Sequence, residues 1–186
     1  MTDSAHNKIR IIQPGSMTLV QDQGRIGSQQ LGVSVSGALD ADSLAIGNRL
    51  VGNDRDAAAL EVLLGGLEVQ FLGSAVFALT GANSHATLDS VPLSINVSYT
   101  AHAGSRLVLG IVSSGLRSYV AINGGIDVPV VLGSRSTHIA SKMGGCEGRA
   151  LVEGDVLHIG KASGSPGVIM GTNCLLYTSP SPRDRG

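Results

Sequence analysis

The sequence predicts a mainly β fold, a barrel-like domain of many short strands with one helix near residues 40–51. Three observations predict it. Hydrophobic residues make up 42% of the chain and charged residues 15%, a balance that suits a packed core and not disorder. There are 26 glycines, enough to break the chain into short strands joined by tight turns. Apolar residues recur mostly with period two, and with helical spacing in one place. Aromatic residues are 3% and Trp is absent, so Val, Leu, Ile and Ala must fill the core.

Lys8 to Ile12 is an apolar run ended by the turn signal Pro14-Gly15. Thr18-Leu19-Val20 is a second strand, followed by the polar loop Gln21 to Arg25. Asp40 stands where an N-cap should. Ala41, Leu44, Ala45 and Leu50 have helical spacing and Gly52-Asn53 supply the stop, which gives a helix from Asp40 to Val51. Ala59 to Leu64 and Leu67 to Leu72 flank Gly65-Gly66, a hairpin signal. In the second of these, Leu67, Val69 and Phe71 alternate with Glu68 and Gln70, so one face is buried. Strands follow at Ala75 to Thr80 and, around an Asp89-Ser90 turn, at Ala86 to Leu88 and Pro92 to Val97. Ser105 to Ile111 and Ser118 to Ile122 come next. Pro129 makes Val128 to Leu132 a loop or an edge strand. Gly154-Asp155 turns into a last strand, Val156 to Ile159. So many short strands argue for a barrel or a closed sandwich.

Residues 1–160 are read as one β-rich domain. Residues 161–173 are read as a linker, KASGSPG, and the first strand of a truncated second domain. Cys174 to Asp184, CLLYTSPSPRD, matches codon by codon the translation of a common transposase-type sequencing adapter. Residues 174–186 are therefore set aside as an artefact.

Charge and composition exclude several functions. The net charge is −1 and there is no basic stripe, which argues against nucleic-acid binding. An apolar run of about 18 residues is absent, which argues against a membrane span. Met1 to Arg10 lacks a secretory core, which points to the cytoplasm. With Cys174 set aside, Cys146 is one thiol, too few for a disulfide framework, and the histidines show no metal-ligand spacing. No metal is expected. A G-x-S-x-G elbow is also absent.

Several polar groups admit two readings. Asp22 and Arg25 share one loop, where a fixed acid–base pair can orient a carboxylate, or where Asp22 simply bonds its own backbone. Gly37 to Asp40 open the helix, as an anion site or an ordinary cap. Glu61, inside Ala57 to Leu64, is a site residue or the wet-face member of an alternating strand. Gly133 to His138 gather hydroxyls, a guanidinium and an imidazole, suited to an anionic substrate or to a solvated turn. Gly144 to Arg149 lacks the Lys and the strand-to-helix context of a phosphate-binding loop.

These loops stand in a distinctive order. Pro14-Gly15, Thr18 to Asp22 and Gly24-Arg25 precede Gly37-Ala38-Leu39-Asp40, Asn48 to Asn53 and Ala59-Leu60-Glu61-Val62 with Gly65-Gly66. Leu79-Thr80-Gly81-Ala82, Gly124-Gly125-Ile126-Asp127-Val128-Pro129, Leu132-Gly133-Ser134-Arg135-Ser136-Thr137, Gly148-Arg149 and Gly154-Asp155 complete the set. Over about residues 8–173 the chain resembles the family that includes the 5-oxoprolinase C component, KipA and allophanate hydrolase subunit 2. The resemblance implies two β-rich domains, the second a cyclophilin-like barrel. It implies an ATP-dependent lactam hydrolase component that opens 5-oxoproline to glutamate with partner subunits A and B. ATP is implied by family, held in this component or a partner. One alternative is a biotin-dependent carboxyltransferase or allophanate hydrolase component acting on urea-type substrates. Another, through KipA, is a regulatory kinase-binding protein. Matching motifs place Asp22, Arg25, Glu61 and Arg135 as catalytic and Asp40, Asn48 and Ser136 as substrate-binding. Arg135 or Arg25 would polarise a carbonyl or hold a carboxylate, the electrostatic support such chemistry needs.

Overall fold

A computed structural model describes residues 7–27, 29 and 32–162. The predicted second-domain strand and the adapter-like stretch lie outside the described residues. In chain order come β1 (Lys8–Pro14), β2 (Met17–Gln21), helix α1 (Ala41–Leu50), β3 (Ala59–Leu63), β4 (Leu67–Phe71) and β5 (Ala75–Gly81). There follow β6 (Thr87–Leu88), β7 (Val91–Pro92), β8 (Ser98–Ala101), β9 (Arg106–Val108), β10 (Arg117–Ile122), β11 (Ile126–Asp127) and β12 (Val156–Ile159).

The mainly β class and the helix stand as the sequence predicts. Asp40 caps α1 by accepting from Ser43 N, at 3.0 Å. The strands form two open sheets and do not close into a barrel. One has the order β11-β12-β1-β4-β9-β6-β7 and the other β2-β3-β10-β5-β8, and every pairing is antiparallel. The predicted hairpin at Gly65-Gly66 is instead a change of sheet. β3 pairs with β2 and β10, whereas β4 pairs with β1 and β9. Both glycines have positive φ, and a Cβ on Gly65 would overlap Gly110 O. The Asp89-Ser90 turn is a true hairpin, joining β6 to β7 with φ of 49° and 70°.

Alternation along the strands makes three layers. Ile9, Ile11, Leu67, Val69, Phe71 and Leu107 of the first sheet meet Val20, Leu60, Val62, Phe77, Leu79, Val120 and Ile122 of the second in one buried cluster. The opposite face of the second sheet presents Ala59, Ala78, Tyr119 and Ala121, on which Leu44, Leu50 and Val51 of the helix segment pack. Small residues let α1 approach: a Cβ on Gly47 would lie 3.1 Å from Thr80 Oγ1 and 3.2 Å from the Ala121 methyl. Glu61 belongs to this helix-covered face, directly opposite Tyr119. Its alternation therefore points it away from the main core, yet not into water.

The outer edge of β2 is bonded by later chain. Thr137 N donates to Val20 O at 2.9 Å and Leu151 N to Thr18 O at 2.9 Å. This brings the Gly133–His138 loop beside the loop that carries Asp22 and Arg25.

Candidate active-site cavity

Asp22 ties these two loops together. Its Oδ1 accepts from Gly24 N at 2.8 Å, from Ser134 Oγ at 2.7 Å and from Ser136 Oγ; its Oδ2 accepts from Arg135 N. Asp22 N donates to Ser136 Oγ at 2.9 Å, and Ser136 N donates to Ser134 Oγ at 2.9 Å. Every polar group in this buried knot has a partner, so its chemistry is to hold Arg135 in place.

Arg25 lies behind the same loop, 1% exposed. Its Nε donates to Val131 O at 3.2 Å and its Nη2 to Ser136 O. Its Nη1 is buried with no partner among the described residues. A ligand in solvent has no access to this guanidinium; it braces the 131–136 loop.

Asn48, fully buried, anchors a second frame. Its Nδ2 donates to Ala57 O at 2.7 Å and its Oδ1 accepts from Asn53 Nδ2 at 3.1 Å. Asn53 in turn accepts from Gly124 N at 2.8 Å and donates to Ile122 O at 2.8 Å. Ala57 and Gly124 are thus held from behind by one pair of amides.

The two frames support one cavity of about 410 Å³, lined by Ala57, Gly124, Gly125, Asp127, Arg135 and Lys161 among others. Arg135 Nε donates to Val128 O at 3.0 Å and Nη2 lies 3.3 Å from Asp127 Oδ1, with the side chain 39% exposed. Of the seven predicted site residues, Arg135 alone lines this cavity; Asp22, Ser136 and Asn48 stand behind its walls.

Glu61 and Asp40 form a separate cluster. Glu61, 3% exposed, accepts on Oε2 from Tyr119 Oη at 2.8 Å and from Leu39 N at 2.8 Å. Asp40 N donates to Tyr119 Oη at 2.8 Å. Arg117 Nε lies 3.7 Å from Glu61 Oε1, which offsets the buried charge. Burial, then the neighbouring Glu61, pushes the Tyr119 phenol well above its ordinary range, while the Asp40 N–H opposes this. The cluster fastens the start of α1 to the second sheet. Tyr119 was hidden in the sequence because it reads as an ordinary strand aromatic.

A second cavity, of about 430 Å³, is lined by Val128, Pro129, Val131, Lys142, Cys146 and His158 among others. Burial raises the Cys146 thiol, which makes it a poor nucleophile. Beside it Arg149 holds Asp155 through two bonds, of 2.7 and 3.0 Å, and keeps that carboxyl below its ordinary value. Three amides of the glycine-rich 144–149 loop are already taken: Gly145 N donates to Arg135 O, Gly148 N to Gly144 O and Arg149 N to Cys146 O. Among the described residues there is no group of three or more His, Cys, Asp or Glu placed to hold a metal ion, and no helix long and apolar enough to cross a membrane.

Comparison with known proteins gives a consistent result. The family model described as carboxyltransferase domain, subdomain A and B, matches residues 31–184. Among curated relatives, the C component of 5-oxoprolinase from Escherichia coli is 47% identical over 169 residues, 91% of this chain and 54% of that protein. The urea amidolyase of Saccharomyces cerevisiae is 43% identical over 152 residues, 81% of this chain and 8% of that protein. The crystal structure of the K. lactis urea amidolyase superposes with a TM-score of 0.82 at 38% identity, covering 88% of this chain and 10% of that one. The chain therefore spans about half the length of the bacterial relative. It belongs to the carboxyltransferase domain, subdomain A and B, family.

Proposed function

From membership of this family we propose that the chain is part of the C component of an ATP-dependent 5-oxoprolinase, cytoplasmic and working with partner subunits A and B. The observation that carries this is the 47% identity to a 5-oxoprolinase C component across 91% of the chain. The reaction adds water to the lactam carbonyl, and the ring nitrogen leaves as the free amine of glutamate. Within this chain, Arg135 is the residue whose guanidinium can reach a small substrate, and Asp22, Ser136 and Asn48 hold the cavity in shape. Glu61 and Asp40 set the start of α1. We assign ATP, which supplies the driving force, to a partner, because the glycine-rich loop of this chain lacks the Lys of a phosphate-binding motif and bonds three of its amides to carbonyls of the chain.

The second reading is a biotin-dependent carboxyltransferase acting on urea. It is favoured by the 43% identity to a urea amidolyase and by the matching fold of another. Reconstitution separates the two. The full-length protein with its A and B partners, ATP and 5-oxoproline is expected to release glutamate. Carboxylation of urea with a biotin carboxylase partner, and no glutamate from 5-oxoproline, would establish the second reading instead.

A further inference from the structure

The Arg135 cavity has a charge pattern that goes beyond a general amide site. It contains two cations and one carboxylate: Arg135, Lys161 and Asp127. Arg135 is oriented by Val128 O and Asp127, and these contacts use Nε and one N–H of Nη2. Its Nη1 and the Lys161 ammonium have no partner among the described residues. Two cations against one carboxylate leave the cavity a formal excess of positive charge. Of the other lining residues, Ile126 is buried in the main core, and Ala57, Ala58, Gly124, Gly125 and Gly160 carry little or no side chain and leave the space open. At about 410 Å³ it sits in the lower part of the roughly 300–1,000 Å³ usual for small-molecule sites.

We propose that Arg135 and Lys161 form a subsite for a small carboxylate, Arg135 offering its planar fork and Lys161 a mobile point charge. The choice of ligand rests on the 5-oxoprolinase reading: it is the carboxylate of 5-oxoproline. A neutral amide such as urea can accept a hydrogen bond from either cation but has no charge to match theirs, so the subsite favours an anionic lactam. Lys161 is the new element: it lies where the chain leaves the last strand, in a stretch that reads as linker. Arg25, the other guanidinium that the motifs place as catalytic, is sealed away from the ligand.

The test is calorimetric titration of the full chain with 5-oxoproline, with pyrrolidin-2-one, which is the same lactam without the carboxylate, and with inorganic phosphate. The wild type is expected to bind 5-oxoproline at least about tenfold more tightly than pyrrolidin-2-one. Lys161→Ala should weaken 5-oxoproline binding by about fivefold or more and leave pyrrolidin-2-one unchanged, and Arg135→Lys should weaken 5-oxoproline binding by about fivefold or more. Lys161 is exposed, so its removal should not shift the melting temperature. Equal binding of the two lactams, unchanged affinity in Lys161→Ala, or binding of neither anion overturns the subsite. Phosphate binding that is lost in both variants, without any 5-oxoproline binding, keeps the anion subsite and removes 5-oxoproline as its ligand. Glutamate formation by the assembled enzyme with an unchanged KM in Lys161→Ala keeps the proposed function and overturns the subsite.

Discussion

Replacing Asp22 with Ala removes the acceptor on which four donors converge: the buried Ser134 Oγ and Ser136 Oγ and the part-buried Gly24 N and Arg135 N. The two hydroxyls can rotate toward other acceptors, but the two backbone donors cannot. A hydrogen bond to a charged group is worth about 1.5–3 kcal/mol, so losing the two backbone ones costs about 3–6 kcal/mol. That is a large share of the roughly 5–15 kcal/mol that holds a domain together, yet less than most of it, so the variant should still fold. With an m-value of roughly 2 kcal/mol/M, the urea midpoint should fall by about 1.5–3 M at constant slope. Far-UV circular dichroism during urea titration measures this. Asp22→Asn is an informative second variant, because its amide must set an NH₂ against donors whichever way it is flipped. It should recover only part of the loss. A midpoint within about 0.3 M of wild type for Asp22→Ala would refute the view that this knot holds the Arg135 loop.

Tyr119→Phe leaves Asp40 N without its acceptor and takes one donor from Glu61, and should cost about 1–3 kcal/mol in the same titration. The fold raises the Tyr119 phenol, so the unfolded chain loses that proton first, near its ordinary value of about 10, and stability falls as pH rises above that point. The gap between wild type and Tyr119→Phe should therefore narrow above about pH 10; a gap independent of pH would count against a raised phenol. Asp155 is held below its ordinary value by Arg149, so its contribution is present at neutral pH and lost as pH falls below about 4. Asp155→Asn should be less stable than wild type at pH 7, with the difference shrinking steadily as pH falls below about 4, and an unchanged difference would contradict the assignment. Gly65→Ala forces a Cβ into Gly110 O at positive φ and should cost about 2 kcal/mol or more. A melting temperature equal to wild type would show that the change of sheet tolerates a side chain there.

Local signals were legible wherever neighbours in sequence decide the conformation. The helix was readable because its cap, its spacing and its stop all lie within Asp40 to Asn53. The strand Leu67–Phe71 was readable because its alternation matches its burial. Gly65-Gly66 announced a sharp turn but not its destination: whether β4 continues beside β3 or crosses to the other sheet depends on Ile9 and Ile11, more than fifty positions away.

The same division holds for the candidate site. Asp22, Asn48, Ser136 and Arg135 could be picked out as polar residues in ordered loops, and three of them lie behind the cavity that Arg135 enters. Their roles could not be separated, since a carboxylate that binds a ligand and one that binds four in-chain donors have the same letter. Lys161 and Tyr119 carried no local signal, because each acquires a role only from residues distant in the chain. What the sequence by itself determined is the class of fold, its helix and its family, since period, turn chemistry and motif order are written along the chain. What only the tertiary structure decided is which polar residues face solvent and which are spent on one another, because burial is set by contacts between segments more than a hundred residues apart, such as Asp22 with Ser136.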